Sequence, residues 1–268
     1  MLGAIAGDVI GSVYEFQGKK ILDFPLFVEE STFTDDSVLT IAVADCLLTG
    51  SPYVEKFHEY TLSYPNRGYG IGFWQWVRSG ARTPYNSWGN GAAMRVSPVG
   101  FAFDTLEDVL CEAKRSAEVT HNHPEGIRGA QATATAIFLA RQGESKDGIR
   151  KAIQDRFSYD LTRTIEEIRP AYSFNESCQG TVPEAITAFL DSTDYEEAIR
   201  LAVSLGGDAD TLACIAGAIA EAYYSGVPKS ITDQTLSILD DKLRAIVLRF
   251  RETYMMSAGK VSGEPDHY

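Results

Sequence analysis

Two short acidic runs carry the residue types that metal-assisted chemistry needs. The first is Thr34-Asp35-Asp36, just ahead of an apolar stretch that starts at Val38. The second is Gly206-Gly207-Asp208-Ala209-Asp210-Thr211, just ahead of the stretch through Ala213, Ile215 and Ala216. A lone acid at a helix start is ordinary, because it accepts from free N–H groups and suits the helix dipole. One cap uses one side chain, yet each run offers a pair of carboxylates and a threonine hydroxyl. Both lead into very apolar helices, which predicts partial burial, and neither contains a Lys or Arg to balance its charge. A divalent cation would balance it. Oxygen-only donors select hard ions, Mg²⁺ first and Mn²⁺ second, and the two runs together carry charge enough for two ions. Gly206-Gly207 lets the backbone turn tightly before Asp208.

Three other elements carry chemistry. Gly89-Asn90-Gly91-Ala92-Ala93-Met94-Arg95 is a glycine-rich turn running into small residues. Backbone N–H groups exposed there would suit a phosphate or diphosphate, although a plain tight turn has the same composition. Arg95 reads as a structural ion-pair partner in preference to a phosphate ligand. In Thr120-His121-Asn122-His123-Pro124 the histidines stand at i and i+2, so they do not share a helix face and a helical metal pair is disfavoured. A substrate hydrogen bond from His121 and a cap from the Asn-His-Pro turn both fit. Glu15 follows Gly11-Ser12-Val13-Tyr14 at the end of an apolar N-terminal helix, and its plain reading is a solvent-facing end.

The elements that must position these residues have a helical period. Ser37 to Leu48 places Val38, Ile41, Ala42, Asp45 and Leu48 at helix spacing, with Gly50 as a stop. Asp104-Thr105-Leu106-Glu107 and Thr193-Asp194-Tyr195-Glu196 read as capping boxes, the first opening a helix to about Val119. Glu125 to Arg141, Ala209 to Tyr224 and Ile231 to Tyr254 read as further helices. Strand-like runs are scarce, and Ile21 to Val28 reads as a loop because Pro25 interrupts it. The residues from Ser257 onward read as a flexible tail (257–268). No Pro/Gly/Ser-rich linker divides the rest, which predicts a single domain over 1–256. Similarity between Gly3-Ala4-Ile5-Ala6 and Gly217-Ala218-Ile219-Ala220 stops at those residues and reads as closely packing small-residue helices.

Composition narrows the partners. The 268 residues carry a formal net charge of -13 and no Lys/Arg-rich run, which disfavours binding to a nucleic-acid backbone. A phosphate-bearing ligand would be repelled at long range, so its site must supply local positive charge, metal being the natural source. Cys46, Cys111, Cys178 and Cys214 form no CxxC pair and read as free thiols of a reducing compartment. The N-terminus has no basic run, and no apolar stretch approaches the roughly 20 residues that span a bilayer. These features predict a cytoplasmic protein without membrane contact.

Taken in order, Gly-Asp…Gly-Ser-x-Tyr-Glu, Thr-Asp-Asp-Ser, Gly-Asn-Gly-Ala-Ala-Met-Arg, Thr-His and Ser-Leu-Gly-Gly-Asp-Ala-Asp-Thr resemble the ADP-ribosylglycohydrolase family. The resemblance runs from about Leu2 to Gly226. It implies an all-α fold, a compact orthogonal multi-helix bundle. It implies that Thr34, Asp35, Asp36, Asp208, Asp210 and Thr211 ligate two Mg²⁺ (or Mn²⁺) ions. Glu15 matches a catalytic glutamate of the ADP-ribosyl-serine branch, acting as acid or base beside Asp35 and Asp36. Asn90, Gly91 and His121 match residues that contact ADP-ribose, so the implied partner is an ADP-ribose-containing substrate, including ADP-ribosylated protein. The implied reaction is hydrolysis at C1″. Alternatives are an inactive binding or crystallin-like member, or a hydrolase of another glycosidic nucleotide-like bond. Two departures stand out: Ser37 replaces the commoner Thr, and Tyr85-Asn86-Ser87-Trp88 carries no acid, which leaves an arginine-directed reaction without that group.

Overall fold

Helices form where apolar positions recur at helical spacing behind a capping side chain. In the computed structural model, residues 1–18 and 20–255 are described; the expected tail, 257–268, lies outside them. From the N-terminus come α1 (Leu2–Gly11), α2 (Asp35–Thr49), α3 (Tyr53–Ser63) and α4 (Ile71–Arg78). The short α5 (Gly91–Met94) and α6 (Ser97–Ala102) precede α7 (Leu106–Ala117), α8 (Pro124–Arg141) and α9 (Lys146–Phe157). Then follow α10 (Ile165–Ile168), α11 (Cys178–Asp191), α12 (Tyr195–Val203), α13 (Ala209–Tyr223), α14 (Lys229–Ile238) and α15 (Asp241–Phe250). Among the described residues the only β pairing is an isolated antiparallel bridge between Gly89 and Ser177. The all-helical expectation holds.

At the centre α1 lies along α13, and every residue of α1 is buried. Gly3, Gly7 and Gly11 stand at i, i+4 and i+8, so they share the face of α1 that meets α13. A Cβ at Gly11 would lie 2.5 Å from Asp210 Cα, and one at Gly7 would overlap the Ala213 carbonyl. The two helices therefore approach backbone to backbone. Gly217 answers from α13, where a Cβ would overlap the carbonyl of Gly3. The short Gly-Ala-Ile-Ala similarity reflects this mutual approach. Around the pair, α2 packs on α1 and α3, while α8 joins α7, α11 and α13. One continuous cluster of buried apolar side chains runs through these elements.

Element boundaries shift at several caps for local reasons. Thr105, not Asp104, caps α7 by accepting from Asp108 N–H. Asp194, not Thr193, caps α12 by accepting from Glu197 N–H, and the Glu197 carboxylate accepts from Thr193 N–H. Both caps thus sit one residue later than the sequence pattern suggests, and neither closes the reciprocal bond of a capping box. The run from Ile231 to Tyr254 is not one helix: Leu239 is extended, and Asp240 caps a new helix by accepting from Leu243 N–H. Ile21 to Val28 contains neither helix nor strand, as expected. All four cysteines are free; Cys46, Cys178 and Cys214 are buried, and Cys111 is exposed. Among the described residues no helix is long and apolar enough to cross a membrane.

The α1–α13 contact makes a stability prediction. Gly7→Ala should cost about 1–3 kcal/mol through overpacking. For a chain of this size that lowers Tm by about 2–4 °C per kcal/mol. Scanning calorimetry of the variant checks it, and an unchanged Tm would contradict a backbone-to-backbone approach.

Candidate active site

The site begins with the N-terminus of α2. Thr34 is its cap, extended in backbone, and its hydroxyl accepts from Asp36 N–H at 3.3 Å. That same hydroxyl donates to Asp8 Oδ1 at 2.7 Å, which ties Thr34 to α1. Asp8 is fully buried on α1. Its Oδ2 accepts from Thr34 N–H and Ser37 N–H, each at 3.0 Å, and from the Ser37 hydroxyl. Four donors converge on one carboxylate, three on Oδ2 and one on Oδ1. Asp8 thus clamps the start of α2 onto α1, and Asp35 and Asp36 are carried with it.

The second acidic run approaches from α13. Asp208 precedes the helix, and its Oδ2 accepts from the side-chain amide of Asn90 at 2.7 Å. Asp210 Oδ1 accepts from Thr211 N–H, and the Thr211 hydroxyl donates to Asp36 Oδ2 at 3.3 Å. Segments from either end of the chain, far apart in sequence, therefore meet in one cluster. Oxygen atoms of Asp8, Asp36 and Asp210 lie within 4.8 Å of one another, and so do those of Glu15, Asp208 and Asp210. Asp210 belongs to both groups. Asp35 stands at the cleft wall, close to Gly68, with its own N–H donating to Arg67 O at 2.7 Å.

Electrostatics in the cluster are unbalanced. Burial pushes the Asp36 carboxyl well above the usual carboxylate range, reinforced by the charges of Asp8 and Asp35. Burial acts likewise on Asp35 and Asp210, with Asp8 and Asp208 respectively the next contributors. Glu15 is pushed up to about 7, by burial first and then by Asp208 and Asp8. Asp36 Oδ1 is buried without a hydrogen-bond partner. An orphaned buried oxygen among like charges is costly unless a cation meets it. Hard divalent ions fit this donor set, whose members are carboxylates and the Thr211 hydroxyl.

These groups form the floor of a cleft of about 340 Å³. Glu15 lines it from a turn that follows α1, not from the helix itself, and it is half-buried instead of being a solvent-facing end. Asn90, Gly91 and His121 line it as well. Here the sequence expectation of an open backbone loop needs correcting. Asn90 N–H donates to Glu176 O at 2.7 Å, and Gly91 opens the one-turn α5. The loop is pinned to the segment at Glu176–Cys178, and Asn90 contributes its side chain to the cluster instead of its N–H to a ligand. The Asn-His-Pro turn does cap α8, through His123 Nδ1 accepting from Glu125 N–H.

Two residues carry more of the site than the sequence suggested. Asp8 was legible only as an acid next to Gly7 inside a wholly apolar run. Among the described residues Arg95 has no carboxylate partner: it is fully buried, stacks over Phe57 at 4.2 Å and donates to Thr120 and Ser116. Among the described residues it is the one Lys or Arg that lines the cleft.

A helical bundle with paired carboxylates at the floor of a deep cleft defines a class of hydrolase, and comparison identifies it. The chain belongs to the ADP-ribosylglycohydrolase family, whose profile matches residues 1–259. It is similar to ADP-ribosylhydrolase ARH3 of Homo sapiens, 29% identical with 86% of each chain covered. ADP-ribosylarginine hydrolase Tri1 of Pseudomonas putida is 25% identical over 85% of this chain and 71% of its own. Among solved structures, an ADP-ribosylglycohydrolase-related protein complex superimposes with TM-score 0.67 at 26% identity, covering 95% of this chain and 97% of that one.

The clamp on α2 can be tested apart from any activity. Asp8→Ala strands the donors of Thr34 and Ser37 in the interior, at about 1–3 kcal/mol for each unmet group. Denaturant unfolding in the presence of a chelator should show a loss of about 3 kcal/mol or more. A midpoint equal to wild type would mean that Asp8 is not what holds α2.

Proposed function

We propose that this protein is a divalent-metal-dependent hydrolase that cleaves the C1″ glycosidic bond of an ADP-ribosyl group. The observation that carries the reading is the meeting of Asp36, Asp208 and Asp210 on the floor of a cleft that Glu15 also lines, with Asp36 Oδ1 buried and without a hydrogen-bond partner. Two ions, Mg²⁺ or Mn²⁺, would be held by Thr34, Asp35, Asp36, Asp208, Asp210 and Thr211. When bound, the ions would balance the buried charge and act as Lewis acids toward ribose oxygens.

The chain's own groups account for the rest. Asp35 and Asp36 stabilise positive charge developing at C1″ as the bond breaks with oxocarbenium character. Burial raises the Glu15 carboxyl above the usual carboxylate range, which suits a group that both accepts and releases a proton. It serves as base toward the attacking water or as acid toward the departing group. Asn90 fixes the Asp208 carboxylate through its amide. Ile71, Trp88 and Phe174 line the cleft while remaining well exposed, giving its rim an apolar surface suited to a planar base. An ADP-ribosyl group has that sequence of parts: a ribose at the acids, a diphosphate, then adenine. Retention of every carboxylate argues against a binding-only role. ADP-ribosylated side chains and small ADP-ribosyl compounds both fit the cleft chemistry.

Metal dependence has a direct readout. Titration calorimetry should register two Mg²⁺ or Mn²⁺ ions per chain, and Asp36→Ala should abolish turnover. Binding to the folded state alone adds about 2.7 kcal/mol of stability at a hundredfold excess over Kd. Full activity after verified metal removal would sink the reading.

Glu15 separates chemistry from binding. Glu15→Gln should leave the ADP-ribose Kd within a few fold. The single-turnover rate on serine- or arginine-ADP-ribosylated peptide should fall by roughly 10²–10⁴. A near-normal rate would remove Glu15 from the reaction.

A further inference from the structure

Behind the cleft, Arg95, Thr120 and His121 form a short chain of polar contacts whose protons can be followed one by one. Arg95 Nη2 lies 2.8 Å from Thr120 Oγ1, and Thr120 Oγ1 lies 2.7 Å from His121 Nδ1. All three residues are buried, Arg95 and Thr120 completely. A guanidinium has donors and no acceptor, so Thr120 Oγ1 must accept from Arg95. The threonine hydroxyl then has one proton to place. Among the described residues the only acceptor within reach is His121 Nδ1. Were Nδ1 protonated, it too would donate to Oγ1, and the threonine proton would be stranded in the interior at a cost that buried groups rarely bear.

We propose that Arg95 and Thr120 are positioning residues that hold His121 as the Nε2–H tautomer, a fixed hydrogen-bond donor facing the cleft. Its target is an acceptor oxygen of the bound ADP-ribosyl group, so the ligand half of the proposal rests on the function proposed above. Burial, helped by the Arg95 charge, keeps the ring's pKa well below its usual value, which leaves it neutral and the tautomer definite. Nε2 lies on the cleft side, against the glycine loop, where a Cβ at Gly91 would come within 3.1 Å of it. Among the described residues no protein acceptor takes the Nε2 proton. The arrangement also gives Arg95 a use that a structural ion pair would not explain. Among the described residues it has no carboxylate partner and its Nε and Nη1 are buried without acceptors, while its face rests on Phe57. Its hydrogen bonds go to the Thr120 hydroxyl, at 2.8 Å, and to the Ser116 carbonyl, at 3.3 Å.

Nitrogen-15 labelling of histidine tests this on the whole protein without substrate. Long-range proton–nitrogen spectra distinguish protonated from bare ring nitrogens, and His121→Asn assigns the His121 signals by their loss. Wild type should show His121 with Nε2 protonated and Nδ1 bare; a protonated Nδ1 overturns the proposal. Thr120→Val keeps the shape and removes the hydroxyl. It should give a mixed tautomer and weaken ADP-ribose binding about three- to tenfold, the worth of one hydrogen bond. Thr120→Ser, which restores the hydroxyl, should recover both. Unchanged tautomer and affinity in a folded Thr120→Val protein overturn the relay. If the tautomer is as stated but ADP-ribose does not bind, the relay stands and the proposed function fails. If ADP-ribose binds and Nδ1 carries the proton, the reverse holds.

Discussion

The contact between α1 and α13 sets the distance at which the acids meet. Glycines at Gly3, Gly7, Gly11 and Gly217 let two backbones touch without side chains between them. With α13 so close, Asp8 on one helix and Asp210 on the other bring carboxylate oxygens within 4.8 Å of Asp36. A methyl group at Gly11 would press on Asp210 Cα itself. Packing and chemistry therefore share one constraint: the tightness that buries α1 is also the tightness that crowds the charges.

Crowded carboxylates are held in place by neighbours that are not themselves ligands in the proposed site. Asp8 accepts from Thr34 and Ser37 and anchors the start of α2. Asn90 holds Asp208, and the Gly89–Ser177 bridge holds the Asn90 loop in turn. Arg95 and Thr120 stand behind His121 in the same relation. The start of α2, Asp208 and His121 are thus each backed by a buried polar contact. Preorganisation of this kind limits the reorganisation that a reaction would otherwise demand.

The negative net charge fits the same picture. A chain at -13 gains nothing at long range from a diphosphate-bearing ligand, and Arg95 is too deeply buried to attract one. On the proposed reading, local positive charge would come from cations at the acids, with neutral donors such as His121 supplying direction in place of charge.

The amino-acid sequence by itself determined the helical period, the two acidic runs and their order along the chain. Each of these is a local property, read from spacing or from residue type. It also carried the motifs by which the family is recognised, because those residues keep their order whatever lies between them. Cap positions slipped by one residue at Thr105 and Asp194, since neighbouring side chains compete for the same free N–H groups. The long C-terminal run divided at Asp240 for the same local reason. Only the tertiary structure decided the use of Asp8, the pinning of the Asn90 loop and the company of Arg95. None of these has a local signature. An acid in an apolar helix, an Asn-Gly turn and an arginine after small residues acquire their roles from partners 26 or more positions away in the case of Asp8 and Thr34, and 118 in that of Asn90 and Asp208. Burial then fixes those roles, because each buried polar atom must find its partner across the fold.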